Sequence, residues 1–236
     1  MKKRIWELDA LRGLCIIGMV AVHLVFDLAV MYRIVSWNLP TWFNLLQEWG
    51  GVLFLLISGI SATLGRRSFR RGLIVFGCGM LVTSVTVGMY FLRMANIGII
   101  IYFGVLQCLG VCMMLWPLFR RLPWWVLAGV GVAMAALGLY LETLPGIDAV
   151  WLMPLGLPWK NFYSADYFPL LPNLGFFLLG AAIGRTAYRA KESLLPNINH
   201  NAAPLRFLKW CGKNSLFIYL AHQPILAGLC MALAVL

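Results

Sequence analysis

The fold turns on the stretch Asp9–Met31, DALRGLCIIGMVAVHLVFDLAVM. A membrane-spanning helix needs about 20 predominantly apolar residues. This stretch supplies them, yet it also carries Asp9, Arg12, His23 and Asp27. Polar groups are expensive at membrane depth, so each of these marks a functional position. The preceding Met1-Lys-Lys-Arg4 has the charge of a signal peptide. The apolar run is too long for one, however, it contains His23 and Asp27, and no small-residue cleavage site follows, so it reads as a retained helix.

Working outward, further apolar stretches run near Trp49–Gly65, Gly72–Leu92, Ile97–Phe119, Pro123–Leu141, Phe168–Tyr188 and Ser215–Leu236. The expected fold is therefore all-α: a polytopic membrane protein of about seven transmembrane helices, forming a single domain over residues 1–236. Composition agrees. Of 236 residues 62% are hydrophobic and 11% charged, and the mean hydropathy is +0.85. A soluble domain is nearer half apolar and a quarter charged, so an ordinary cytosolic enzyme is excluded, as is a disordered chain. The net charge of +11 would suggest nucleic acid in a soluble protein. Here the basic residues sit between apolar runs, which points to membrane lipid and to no nucleic acid.

The basic residues also predict orientation. With the N-terminus cytoplasmic, sixteen of the nineteen Lys and Arg fall inside, and only Arg33, Arg93 and Lys160 fall outside. An odd number of spans then places the C-terminus outside a bacterial-type cytoplasmic membrane. None of the six cysteines lies in an outer loop, so no disulfide framework is expected. Cys108 and Cys112 share a helix face but lack companion ligands, and no metal is expected. Helix contacts fall to small residues: Gly180-x-x-x-Gly184, Gly131 with Ala135, and Gly77 with Gly79. A homodimer is allowed as a further partner.

The first helix carries an ordered stripe. Eleven steps at about 100° separate Arg12 from His23, leaving them roughly 20° apart on one face and about 16 Å apart along the axis. Asp27 follows His23 by one turn. An arginine at the inner surface can hold a phosphate or carboxylate. A deep imidazole can act as a general base, with Asp27 to orient it and stabilise its charged form. A long donor with an anionic head at Arg12 and a reactive end at His23 fits the gap, and coenzyme A thioesters have that shape.

Other polar groups are candidates for the same cavity. Gln107 lies near the middle of the fourth span, where it could support an oxyanion. Ser215, Tyr219 and His222 share a face of the last span, just before Pro224. The turn Arg66-Arg67-Ser-Phe-Arg70-Arg71 could bind CoA phosphates or anionic headgroups. The outer segment from Glu142 to Tyr167 contains Asp148, Trp151, Trp159, Tyr163, Asp166 and Tyr167. Its tryptophans suit an interfacial belt, and Asp166 and Tyr167 are kept as contacts to an acceptor.

Arg12, ten residues, then His23 resembles the Arg-x10-His signature of the transmembrane acyltransferase superfamily, best known from acyltransferase-3 proteins. The wider start, Leu8-Asp-Ala-Leu-Arg-Gly-Leu-Cys-Ile-Ile-Gly-Met-Val-Ala-Val-His23, is more similar to the heparan-α-glucosaminide N-acetyltransferase-like branch. So are Phe54-Leu-Leu-Ile-Ser-Gly59, Tyr102-Phe-Gly-Val-Leu-Gln-Cys-Leu-Gly110, Asp166-Tyr-Phe-Pro-Leu-Leu-Pro172 and Leu216-Phe-Ile-Tyr-Leu-Ala-His-Gln-Pro224. The resemblance implies a multi-helix enzyme that takes an acetyl or acyl group from cytoplasmic acetyl-CoA and passes it to a sugar, an amino sugar by analogy, on the far side. Lysosomal members have more helices and place a key His in the outer segment after the first helix. This chain has no His between Tyr32 and Glu48, so His23 inherits that role only through the acyltransferase-3 pattern. Glu48 falls where relatives have an Asp and is the alternative base. The reading of the residues and the resemblance together give His23, Asp27 and Glu48 for catalysis, and Arg12, Arg66, Arg67, Arg70, Arg71, Gln107 and His222 toward acetyl-CoA.

Two other functions fit parts of this pattern. A proton-coupled transporter of a small polar solute would use His23, Asp27, Glu48 and His222 as a relay, but no internal repeat or paired broken helices accompany them. A seven-helix receptor is opposed by the inside N-terminus and by the lack of a mid-membrane lysine.

Overall fold

The computed structural model describes residues 4–37, 39–93, 97–147, 149–199 and 201–234. Among these residues the regular structure is helical: α1 (Trp6–Phe26), α2 (Thr41–Leu64), α3 (Ser68–Phe91), α4 (Val105–Phe119), α5 (Trp124–Leu141), α6 (Leu170–Thr186), α7 (Ala203–Lys213) and α8 (Ser215–Ala234). A π-helical turn, Asp27–Met31, extends α1.

Five helical segments are long and apolar enough to cross a membrane: Trp6–Met31, Thr41–Leu64, Ser68–Phe91, Trp124–Leu141 and Ser215–Leu233. The other two expected spans are shorter as helices, α4 with 15 residues and α6 with 17. The residues that precede each of them are extended instead. Phe103 and Tyr167 form a parallel bridge, and the Phe168 N–H donates to the Phe103 carbonyl at 2.9 Å. This pairing satisfies backbone groups that a longer helix would otherwise satisfy. α2 is longer than expected, beginning at Thr41 rather than near Trp49.

The chain divides into two compact units. One gathers the residues up to Phe54 and again from Lys191; the other runs from Leu55 to Ala190. In the first, α7 is a helix that the hydropathy reading leaves as a basic linker. Pro204 occupies its first turn, a position that Pro tolerates. Leu205, Leu208 and Gly212 turn inward while Arg206, Phe207, Trp210 and Lys213 are exposed, the spacing of an amphipathic helix. α7 runs antiparallel to α1, with Gly13 against the Leu208 carbonyl and Gly212 against the Asp9 carbonyl. At both places a Cβ would collide with backbone, so glycine sets the closeness of the helices. α8 runs in the same direction as α1: His23 meets His222, and farther along Asp27 and Tyr32 lie within electrostatic reach of Cys230.

In the second unit α3 and α4 are antiparallel, since Gly72 meets Gly110 and Met113 while Gly79 meets Gln107. α5 and α6 are antiparallel too, with Gly131 against Gly175 and Leu179 and Gly138 against Pro172. α2 and α6 are parallel, pairing Leu56 with Gly180 and Ile60 and Thr63 with Gly184. The expected small-residue contacts at Gly180, Gly184, Gly131 and Gly79 are therefore helix contacts, whereas nothing lies within 4 Å of a Cβ built at Gly77.

Candidate active site

α1 is an unbroken α-helix from Trp6 to Phe26, so the eleven-residue step from Arg12 to His23 keeps its register. At the C-terminal end of the stripe, His23 Nδ1 lies 2.9 Å from the Met19 carbonyl. A carbonyl only accepts, so Nδ1 carries the proton and Nε2 bears the lone pair. His222 repeats the arrangement on α8, with Nδ1 donating to the Tyr219 carbonyl. The two rings meet edge to face, with centroids 4.9 Å apart and planes at 82°. His222 is 8% exposed, and its Nε2 is buried without a hydrogen-bond partner.

Asp27 is 1% exposed and begins the π-turn, in which the Tyr32 N–H donates to the Asp27 carbonyl at 2.9 Å. Its carboxylate does not bond the imidazole as the sequence reading expects. Gln223 Nε2 donates to both oxygens, at 3.3 and 3.0 Å. His23 is thus oriented by the helix backbone, and Asp27 contributes charge from one turn away. Gln223 Oε1 is left buried and unpartnered. The sequence reading overlooked Gln223, although its signal was available: it is a polar residue beside His222 and Pro224 within an apolar helix.

At the N-terminal end of the stripe Arg12 Nη1 stands 4.0 Å from Asp9 Oδ1. Asp9 Oδ2 is buried with no hydrogen-bond partner, so this end holds both a guanidinium and an unsatisfied carboxylate oxygen. The guanidinium suits a phosphate or carboxylate. One turn below, Glu7 is occupied by the rest of its unit, accepting from Ser193 Oγ and from the Leu194 N–H, each at 2.8 Å.

Of the remaining candidates Glu48 belongs to the first unit and the others to the second, several already engaged. Gln107 is 2% exposed. Its Oε1 accepts from the Gly104 N–H at 3.0 Å, and its Nε2 donates to the Gly79 carbonyl at 3.0 Å and to Thr83 Oγ1 at 2.7 Å. Both amide hydrogens are spent fastening α4 to α3, so the expected oxyanion donor has no hydrogen left to offer. Asp166 Oδ2 accepts from the Val105 N–H at 3.0 Å and so satisfies an orphan donor at the start of α4. Tyr167 donates from its hydroxyl to the Met153 carbonyl at 2.7 Å; burial, and then the charge of Glu142, push its phenol up from the usual 10.0. Arg66, Arg67, Arg70 and Arg71 are all exposed around the start of α3. Glu48 lies on α2, but its side chain is outside the described residues, as is Asp148. Among the described residues no cluster of three His, Cys, Asp or Glu is placed to hold a metal.

Two of the expected groups, His23 and His222, are therefore in direct contact, and Gln223, which follows His222 on α8, holds Asp27. A family model described as heparan-alpha-glucosaminide N-acetyltransferase, catalytic, matches residues 4–224. No curated protein and no solved structure matches the chain. The matched span runs from the start of α1 to Pro224 in α8 and takes in both ends of the Arg12–His23 stripe and both imidazoles. The chain belongs to the heparan-alpha-glucosaminide N-acetyltransferase catalytic-domain family.

Proposed function

We propose that this membrane acetyltransferase draws its acyl group from acetyl-CoA on the cytoplasmic side of a bacterial-type membrane and delivers it to an extracytoplasmic sugar, an amino sugar by family analogy. The helix directions support seven crossings with the N-terminus inside. The parallel pair α2/α6 and the antiparallel pairs α3/α4 and α5/α6 are what an alternating chain requires. The basic residues supply the orientation.

The observation that carries the reading is the imidazole pair at the far end of a helix whose near end holds Arg12. Acetyl-CoA supplies an activated thioester carbonyl. Arg12 holds an anionic group of the donor at the inner surface. His23 Nε2 takes the proton of the acceptor's nucleophile as that atom attacks the carbonyl carbon; the carbon–sulfur bond then breaks, and the imidazolium returns the proton to the departing CoA thiolate, leaving the acetylated acceptor and the free CoA thiol. Asp27 favours the resulting imidazolium through its charge. His222 Nε2 and Gln223 Oε1 are buried acceptors without donors, and a nucleophile bringing N–H or O–H groups would satisfy them. The exposed arginines 66, 67, 70 and 71 are a further surface for phosphate.

The test uses detergent-solubilised protein and acetyl-CoA. Release of the CoA thiol, with glucosamine as trial acceptor, is expected from the wild type and should fall at least a hundredfold in His23→Ala. Arg12→Ala should weaken acetyl-CoA binding at least tenfold. Unchanged release in the first variant, or equal affinity in the second, overturns the corresponding assignment.

A further inference from the structure

We propose that Gln223 is a positioning residue of this site, acting on His23 through Asp27; its functional meaning rests on the acyl-transfer reading above. A buried carboxylate needs hydrogen-bond donors. Among the described residues Asp27 receives one side-chain donor, the Gln223 amide, which spans both of its oxygens. The amide cannot be reversed, because its oxygen would then face the carboxylate.

The kind of partner matters. Among the described residues the titratable groups in electrostatic contact with Asp27 are His23 from α1, Tyr32 after the π-turn and Cys230 from α8, and none of these is a permanent cation. An arginine or lysine in place of Gln223 would hold the carboxylate but cancel its charge. A neutral amide holds it in one orientation and leaves the negative charge to act on the imidazole one turn away. The same bond ties α8 to the first residue of the π-turn, and π-turns often mark functional positions within helices. Because the amide nitrogen is committed, Gln223 Oε1 is aimed elsewhere and stays buried without a partner, as does His222 Nε2 beside it. Gln223 thus both fixes the charge and leaves an acceptor for a ligand.

A double-mutant cycle tests the coupling. Gln223→Met, similar in length and lacking the donor, is expected to lower CoA release from acetyl-CoA about tenfold with acetyl-CoA affinity unchanged. In an Asp27→Asn background the same substitution should change release less than twofold. The exchange Asp27→Asn with Gln223→Glu re-forms an amide–carboxylate pair with the charge moved to α8; thermal stability should return toward wild type and turnover should not. Equal losses in both backgrounds, or turnover restored by the exchange, would overturn the proposal. Imidazole ¹⁵N spectra provide a readout independent of turnover, since the chain has only three histidines. Gln223→Met should move the His23 signals, and the move should vanish in Asp27→Asn. If the wild type releases no CoA, the acyl-transfer reading fails on its own, and a ¹⁵N pattern blind to Gln223 would sink the Gln223–Asp27–His23 linkage separately.

Discussion

The ring of His222 stands edge-on to the ring of His23, 4.9 Å away centre to centre, and each imidazole spends its Nδ1 proton on a carbonyl of its own helix. Two lone-pair nitrogens therefore belong to one small region of the first unit. Replacing His222 by Phe keeps an aromatic edge and removes the nitrogen. Turnover is expected to fall roughly tenfold, the scale of one lost hydrogen bond to a reacting group, with acetyl-CoA affinity unchanged. Steady-state thiol release alongside equilibrium binding separates the two effects.

Glycine sets the spacing of α1 and α7. Gly13→Ala and Gly212→Ala each drive a methyl into a backbone carbonyl, of Leu208 and Asp9 respectively. Each should lower stability by about 1–3 kcal/mol, as overpacking does. Gly18→Ala on the same helix meets nothing within 4 Å and should be neutral or slightly stabilising through helix propensity. Thermal unfolding in detergent would show the contrast.

Gln107 should prove a fastener between helices. Gln107→Leu strands the buried Gly104 N–H, at about 1–3 kcal/mol for an unsatisfied group, and removes the amide that reaches the Gly79 carbonyl and Thr83. The melting temperature should drop, while turnover of the protein that remains folded stays within about threefold, well short of the loss expected when an oxyanion donor is removed. A larger loss per folded molecule would return Gln107 to the chemistry.

Tyr167 makes alkaline stability testable. Its folded phenol ionises above the ordinary value of 10.0, because of burial and then Glu142. Below pH 10 both folded and unfolded chains keep the proton, and the stabilisation is complete. Above pH 10 the unfolded chain releases its proton first, so stability declines as pH rises. Tyr167→Phe should be less stable at pH 8, having lost the bond to Met153, but should show a flatter decline between pH 10 and 11. Melting curves across that range check the sign.

The sequence by itself determined that this is a helical membrane chain, and it located the stripe from Arg12 to His23. Both are local properties: hydropathy accumulates over about 20 neighbouring residues, and the angle between two positions of one helix follows from their spacing. The family was legible for a related reason, since its motifs are short runs of contiguous residues. Only the tertiary structure decided which polar groups are free to react. Asp27 is held by a residue 196 positions away, and His222 meets His23 from the opposite end of the chain. Gln107 stands out because a polar side chain in an apolar segment looks the same whether it faces a ligand or fastens a neighbouring helix, and Asp166 because a carboxylate in an aromatic loop looks the same whether it meets a ligand or a backbone N–H. The segments that precede α4 and α6 pair as extended chain, and α7 packs on α1 through two glycines. Hydrogen bonds and close backbone contacts of this kind depend on what folding brings opposite a residue, and a pattern of neighbours along the chain carries no record of that.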